Sequence, residues 1–235
     1  MSEGLRSPTA EVIPGRYFLP RPASGAFLKI VCLSDTHEHH RDLDVPDGDL
    51  LLHAGDITFF SQRASVLPDF NRWLGELPHR HKIVIPGNHD SLLEIQSNRR
   101  QITNAHLLIN SGLEIDGFKI WGSPVTPYGN VAFGIPTARG RTAHWSTMPE
   151  NLDILITHGP PHGVLDSAPG GAHHQGDPEL RAAVINKRPR IHVFGHVHSA
   201  YGTYPTKHTL FINAALLGEY GDLDKLPVGL NGRLR

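Results

Sequence analysis

The chain has 235 residues, of which 39% are hydrophobic and 19% charged. That length buries roughly 70–75% of the unfolded surface, enough for one α/β domain or two small ones, and the composition excludes disordered and fibrous classes. With 22 basic residues against 23 acidic the formal net charge is -1, which excludes a broad cationic surface for gripping a nucleic-acid backbone or an anionic membrane.

Residues 1 to 26 hold Pro14, Pro20 and Pro22 among scattered Gly and Ser, with no sustained periodicity. They are expected to form an N-terminal extension lying on a domain that spans residues 27 to 235. No apolar stretch follows a basic start, so no signal peptide is expected. From Phe27 the pattern becomes regular. Phe27–Leu33, Asp49–His53 and His81–Ile85 are buried-strand candidates, each ending in a polar, Gly-containing turn. Between the second and third, Val66, Phe70, Trp73, Leu74 and Leu77 fall at i, i+4, i+7, i+8 and i+11, which predicts an amphipathic helix. This alternation predicts βαβ units and a largely parallel first sheet. Asp116-Gly117 between two short apolar runs predicts a hairpin, where a second sheet with antiparallel pairing begins. Asp153–Thr157, Arg190–Phe194 and Thr209–Ile212 are further strands, and a helix is expected from about Pro178 to Lys187. The segment Pro160 to Asp177 carries Pro169, Gly170, Gly171 and Gly176 and predicts a surface loop near the functional site. No apolar run is long enough for a transmembrane helix. The single cysteine, Cys32, allows no internal disulfide and suits a reducing cytoplasm; its place inside a strand predicts a buried, inert thiol.

Seventeen histidines stand out in this composition. Polar residues cluster just after strand after strand: Asp35 and His37, Asp56, then Asn88, His89 and Asp90, then His158, then His196 and His198. In a parallel sheet the carboxyl ends of the strands share one edge, so these residues are delivered to one place. The carboxylates, the amide and the imidazoles of His37, His158, His196 and His198 make a ligand set for transition metals. One residue separates Asp35 from His37 and His196 from His198, so an extended backbone aims each pair the same way. With a carboxylate that bridges through both oxygens, the set suffices for two ions.

Asp35-Thr-His37, Gly55-Asp56, Gly87-Asn-His-Asp90, His158 and Gly195-His-Val-His198 resemble, in order, the motif blocks of the calcineurin-like metallophosphoesterases. Cys32-Leu-Ser-Asp-Thr-His37, Leu51-Leu-His-Ala-Gly-Asp56, Thr157-His-Gly-Pro-Pro161 and Phe211-Ile-Asn-Ala214 are similar to the MPPED-type members, and the resemblance covers roughly residues 27 to 217. It implies an α/β fold, a four-layer sandwich of two mixed β-sheets flanked by helices. One metal would be held by Asp35, His37, Asp56 and His198, the second by Asp56, Asn88, His158 and His196, with Asp56 bridging. The ions would be Mn, Fe, Zn or Ni, and the nucleophile a water or hydroxide on them. His89 would face the substrate phosphate as the catalytic side chain. The implied activity is hydrolysis of a phosphodiester, a cyclic nucleotide or another small one; a phosphomonoesterase and a weakly catalytic nucleotide-binding regulator are the alternatives. No membrane or stable nucleic-acid partner is expected.

Two departures refine this. Family members acting on phosphoproteins carry Gly-Asp-x-x-Asp-Arg-Gly in the second block, whereas Gly55-Asp-Ile-Thr-Phe-Phe60 stands here, against phosphoprotein substrates. Some vertebrate MPPED-type members have Gly where His196 stands; its presence here equips the second metal site. His53, inside the Leu51–Asp56 segment, reads as a structural residue, with orienting a ligand residue as the other reading, and His39, His40, His162, His173 and His174 as solvated loop residues or substrate contacts. His79, His81, His106, His144, His192 and His208 read as surface or strand residues. Phe59 and Phe60 are expected to pack in the core or at the rim, with stacking on a nucleobase as the other reading.

Overall fold

A computed structural model describes residues 13–14, 28–168, 171, 173–218 and 221–232. Strands with apolar residues on both faces decide its architecture. In β2 (Leu28–Leu33), Ile30 and Cys32 enter one core while Val31 and Leu33 enter another. A strand buried on both sides needs a layer over each face. β1 is Ile13–Pro14, β3 Leu50–His53, β4 His81–Val84 and β5 His106–Leu107. β6 (Ser111–Ile115), β7 (Phe118–Ser123), β8 (Ile154–Thr157) and β9 (Ile191–Phe194) follow. β10 (Gly202–Pro205), β11 (Leu210–Asn213) and β12 (Val228–Gly232) complete the strands. Among the described residues they form two six-stranded sheets, in the orders β1-β12-β2-β3-β4-β5 and β10-β11-β9-β8-β7-β6.

Both sheets are mixed. In the first, β2 to β5 are parallel and β12 joins β2 antiparallel. In the second, β7, β8, β9 and β11 are parallel, with β6 and β10 antiparallel at the edges. Three cores separate four layers. Ile30, Leu52, Ile156 and Val193 fill the space between the sheets. Val31 and Leu51 meet Phe70, Trp73 and Leu74 of helix α1 (Val66–Glu76) on the outer side of the first sheet. Leu155 and Phe194 meet Trp145 and Leu180 of two helices on the outer side of the second. At roughly 1.5–3 kcal/mol for each fully buried large apolar side chain, these cores fix how the strand ends lie together.

The predicted elements up to Ile212 are present, with ends shifted by a residue or so, and Phe27 lies outside the described residues. The Asp116-Gly117 turn has φ of 51° and 82°, the double left-handed geometry of a tight hairpin. The helix at Pro178–Lys187 is capped by Asp177, whose side chain accepts from the Glu179 N–H. Other elements were not anticipated. Besides β1, β5, β10 and β12, these are α2 (Gln96–Arg99) and α3 (Ala138–Ser146), so the Pro178–Lys187 helix is α4. Asp177 joins α3 to α4, because Arg141 Nε donates to its Oδ1 at 3.0 Å and Trp145 Nε1 to its Oδ2 at 2.7 Å. Of the expected N-terminal extension, Ile13–Pro14 pair with Leu230 and Asn231, and the rest lies outside the described residues.

His192 is a strand residue, as expected, but fully buried, and burial pushes its pKa down to about 3. Its Nε2 lies 2.8 Å from Thr157 Oγ1, while Nδ1 is buried with no partner. A second proton would therefore have nowhere to go. The unfolded chain takes up that proton near pH 6.5 and the folded one only near 3, so the stability from neutral His192 is complete above about pH 6.5. As pH falls below that, it is lost at up to about 1.4 kcal/mol per pH unit. Urea titrations between pH 6 and 4 should accordingly give a flatter decline in stability for His192→Phe than for the parent chain. Equal slopes would assign the acid sensitivity elsewhere.

Candidate metal centre

The turns after β2 and β3 run alongside each other. The N–H groups of Asp35, His37 and Glu38 donate to the carbonyls of Gly55, Asp56 and Ile57 at 2.8–3.0 Å. Asp35, His37, Asp56 and His196 all have positive φ, between 40° and 67°. Such backbone is costly for residues with a β-carbon and persists where the surroundings over-determine it, which is characteristic of functional sites. Two glycines make room. A β-carbon on Gly87 would overlap Asp56 Oδ1, and one on Gly195 would overlap Asp35 Oδ2.

The seven predicted ligand residues meet at this edge. Asp35, His37 and His198 each offer an atom within 4.8 Å of the others, and so do Asp56, His158 and His196. Asp56 lies between the groups, its Oδ2 at 3.7 Å from His37 Nε2 and 3.3 Å from His158 Nε2. Asn88 Oδ1 is 2.8 Å from His158 Nε2. Three imidazoles are oriented alike. Nδ1 of His37, His158 and His198 faces the carbonyl of Thr58, Ala54 and Gly218 at 3.0, 2.9 and 3.3 Å. With Nδ1–H donating outward, each Nε2 is left as a lone pair aimed into the site, the arrangement typical of metal-bound histidine.

Electrostatics test whether cations fit. Asp35 and Asp56 are buried, which disfavours their charge, yet the facing histidines hold both carboxyls below the usual carboxylate range. Burial opposes charging His158 as well, but Asp56 and Asp35 outweigh it and raise that imidazole to about 9. A proton on His158 Nε2 then donates to Asn88 Oδ1 and Asp56 Oδ2. Remove it, and a nitrogen and two oxygens converge as bare acceptors, which is a cation position. His196, by contrast, is kept neutral by burial, near 4, as a ligand must be. The mixed O and N donors fit divalent transition metals.

His89 also enters a cluster, with His37 and Asp56. Its Nε2 lies 3.9 Å from Asp56 Oδ2, and its Nδ1 is buried with no hydrogen-bond partner. Unlike His37, His158 and His198, it has no carbonyl anchor. Burial lowers its pKa. Asp90 supplies a role that its place in the third block did not reveal. Its buried carboxylate accepts the N–H groups of Gly87, Ile57 and Thr58 at 2.8, 3.1 and 2.8 Å, locking the turns after β3 and β4 together. Burial and the charge of Asp56 raise it to about 6. His53 is buried behind the site, with Nε2 3.1 Å from Oγ1 of Thr36, the residue between Asp35 and His37.

Other expectations need correction. His40 is no solvated loop residue: it is buried against Phe70 and Trp73, with Nε2 3.0 Å from Asp69, because the short turn after β2 folds onto α1. His79 is likewise buried. Phe59 and Phe60 take the rim position and not the core one: packed on each other, and Phe60 on His89, they stand exposed at the mouth of a cavity of about 890 Å³ that His37, Asp56, His89, His196 and His198 line. His174 bonds Asp166 on the Pro160–Asp177 loop, whose ends are closed by the Pro161–Asp177 pairing. Among the described residues no helix is long and apolar enough to cross a membrane.

Comparison with known proteins defines the class. Residues 28–200 match the calcineurin-like phosphoesterase family model. The chain is 35% identical over 233 residues to metallophosphoesterase domain-containing protein 1 of Homo sapiens and of Mus musculus, covering 87% of this chain and 70% of theirs. The solved structure of TT1561 from Thermus thermophilus shares the fold, with a TM-score of 0.55, 15% identity, and 80% of this chain and 89% of that one covered. Another solved structure covers 80% of this chain and 90% of its own at a TM-score of 0.62 and 18% identity. The chain belongs to the calcineurin-like metallophosphoesterase family.

Proposed function

We propose that the protein is a binuclear-metal-dependent phosphodiesterase acting on cyclic nucleotides or other small phosphodiesters. The observation that carries this reading is the convergence of donor atoms on two neighbouring positions with Asp56 between them. Asp35, His37, Asp56 and His198 would hold one ion, and Asp56, Asn88, His158 and His196 the other. When bound, such ions supply Lewis-acid charge for a phosphoryl group and lower the pKa of a coordinated water.

The chain's own residues do the rest. Asp35 and Asp56 supply the fixed negative charge, and the carbonyls of Thr58, Ala54 and Gly218 hold three imidazoles in register. His89, free of a carbonyl anchor, has an N–H to offer a phosphoryl oxygen or the departing alkoxide. Phe59 and Phe60 occupy the second-block positions where phosphoprotein phosphatases carry other residues, which supports small esters over phosphoproteins. An open cavity of about 890 Å³ without a surplus of positive charge supports the same choice over a polynucleotide strand.

The test is a hydrolysis panel on metal-stripped protein and on protein restored with Mn, Fe, Zn or Ni. Stripped protein should be inactive, and elemental analysis of the restored protein should give about two ions per chain. The kcat/KM for bis-aryl phosphates and cyclic nucleotides should exceed that for mono-aryl phosphates. A consistent preference for monoesters across metals would make it a phosphomonoesterase. Full activity in excess chelator would remove the metal-dependent reading.

A further inference from the structure

The loop after Asp56 exposes two phenylalanines and hides its polar groups. Phe59 is 51% exposed and Phe60 58%. Thr58 is buried: its N–H donates to Asp90 Oδ1 at 2.8 Å and its hydroxyl to the His89 carbonyl at 2.8 Å. Ser61 Oγ donates to the same carbonyl at 2.9 Å, and the Phe59 N–H donates to Glu38 Oε1 at 3.3 Å. This network builds the loop rigidly. Phe60 and Ser61 are nevertheless held at φ of 55° and 52°, an unfavourable backbone for a bulky residue. Surface loops ordinarily turn large apolar groups inward. Strained backbone at Phe60 and Ser61, with two rings left exposed beside a cavity lined by histidines, is a mark of ligand binding.

The rings are also placed usefully. Phe60 sits 4.0 Å, centroid to centroid, from the His89 imidazole, and Phe59 lies 5.8 Å from His37. The two phenyls meet edge to face at 4.9 Å, which leaves ring surface open to the cavity they line. An ester whose phosphorus sits over Asp56 and His89 therefore has one substituent beside these rings.

We propose that Phe59 and Phe60 form a stacking platform for a flat aromatic group on the ester, so that the site selects nucleotides or aryl phosphoesters over aliphatic ones. This rests on reading the cavity as a phosphoesterase site. Stacking of a base on an aromatic side chain gives about 1–3 kcal/mol, which is roughly 5- to 100-fold in affinity.

Calorimetry on metal-restored protein tests it with adenosine 5′-monophosphate, phenyl phosphate and ribose 5-phosphate. The parent should bind the first two more tightly than ribose 5-phosphate, the nucleotide by about 5- to 100-fold. Phe59→Ala and Phe60→Ala should shrink that ratio. Phe60→Leu, apolar but not flat, should shrink it too, whereas Phe60→Tyr should keep it. Tighter binding of the nucleotide alone would narrow the class to nucleobases. The ratio of kcat/KM for adenosine 2′,3′-cyclic phosphate over glycerol 1,2-cyclic phosphate should move in parallel. Binding that ignores the ring, or a ratio untouched by both alanine variants, would overturn the platform. If ring-dependent binding appears without turnover, the platform stands and the hydrolytic reading fails; turnover with ring-independent binding means the reverse.

Discussion

Asp56→Asn is expected to abolish binding at both cation positions while leaving the fold intact. Asp56 Oδ2 faces His37 and His158, at 3.7 and 3.3 Å, so the exchange removes one negative charge from both groups of donors. The rest of its environment tolerates asparagine. Oδ1 can still accept the His89 N–H, now at 2.8 Å, and asparagine adopts the left-handed backbone held here at φ 55° more readily than most residues. Loss of the charge also relieves Asp90, which Asp56 helps to push up to about 6. Metal-free variant and parent should therefore melt within about 4 °C of each other, the shift that roughly 1 kcal/mol gives in a chain of this size. The parent should melt higher when metal is added, by mass action on the folded state, and the variant should not. Activity should fall by at least the ~10²–10³-fold that accompanies loss of one preorganised charge stabiliser. A variant that kept two ions per chain would show that Asp56 does not bridge.

The strand ends were legible in the sequence because the apolar runs of this chain stop abruptly at polar residues. Leu33 is followed by Ser34 and Asp35, and Phe194 by Gly195 and His196, and parallel pairing brings such ends to one edge. The hairpin was legible from Asp116-Gly117 for an equally local reason. What stayed hidden depends on partners distant in the chain. Helix α3 buries little beyond Arg141 and Trp145, and both are fixed by Asp177; no apolar stripe announces it. Strand β12 inserts beside β2 from the far end of the chain, a pairing that no local pattern encodes. His40 looked like its loop neighbour His39 but meets Phe70 and Trp73 from α1. Asp90 was visible only as part of a motif, because the three N–H groups it accepts come from Gly87, Ile57 and Thr58, and two of these lie on another turn. The sequence left core and rim open for Phe59 and Phe60, because the contact that sets Phe60 at the rim is to His89, on the turn after β4.

His89→Ala is expected to keep both ions and lose roughly 10²–10⁴-fold in kcat, the usual range for a positioned proton donor or charge stabiliser. The ring lies between His37, at 4.8 Å, and Phe60, at 4.0 Å, and faces the same cavity as the ligand candidates. Its backbone carries the structural duties: the N–H donates to Asp56 Oδ1, and the carbonyl accepts from Thr58 and Ser61. Alanine preserves all three bonds, so the turn should survive truncation of the ring. Neither ring nitrogen is anchored to a carbonyl, in contrast to three of the four histidines proposed as ligands, His37, His158 and His198. The chemistry of the leaving group then distinguishes two roles. If His89 delivers a proton, the loss should be large for an alkoxide such as a ribose oxygen and small for a nitrophenolate, which departs without one. If it stabilises charge on the phosphoryl oxygens, both substrates should lose rate equally. Elemental analysis of the variant completes the test, since an ion missing from it would place His89 among the ligands and overturn the assignment.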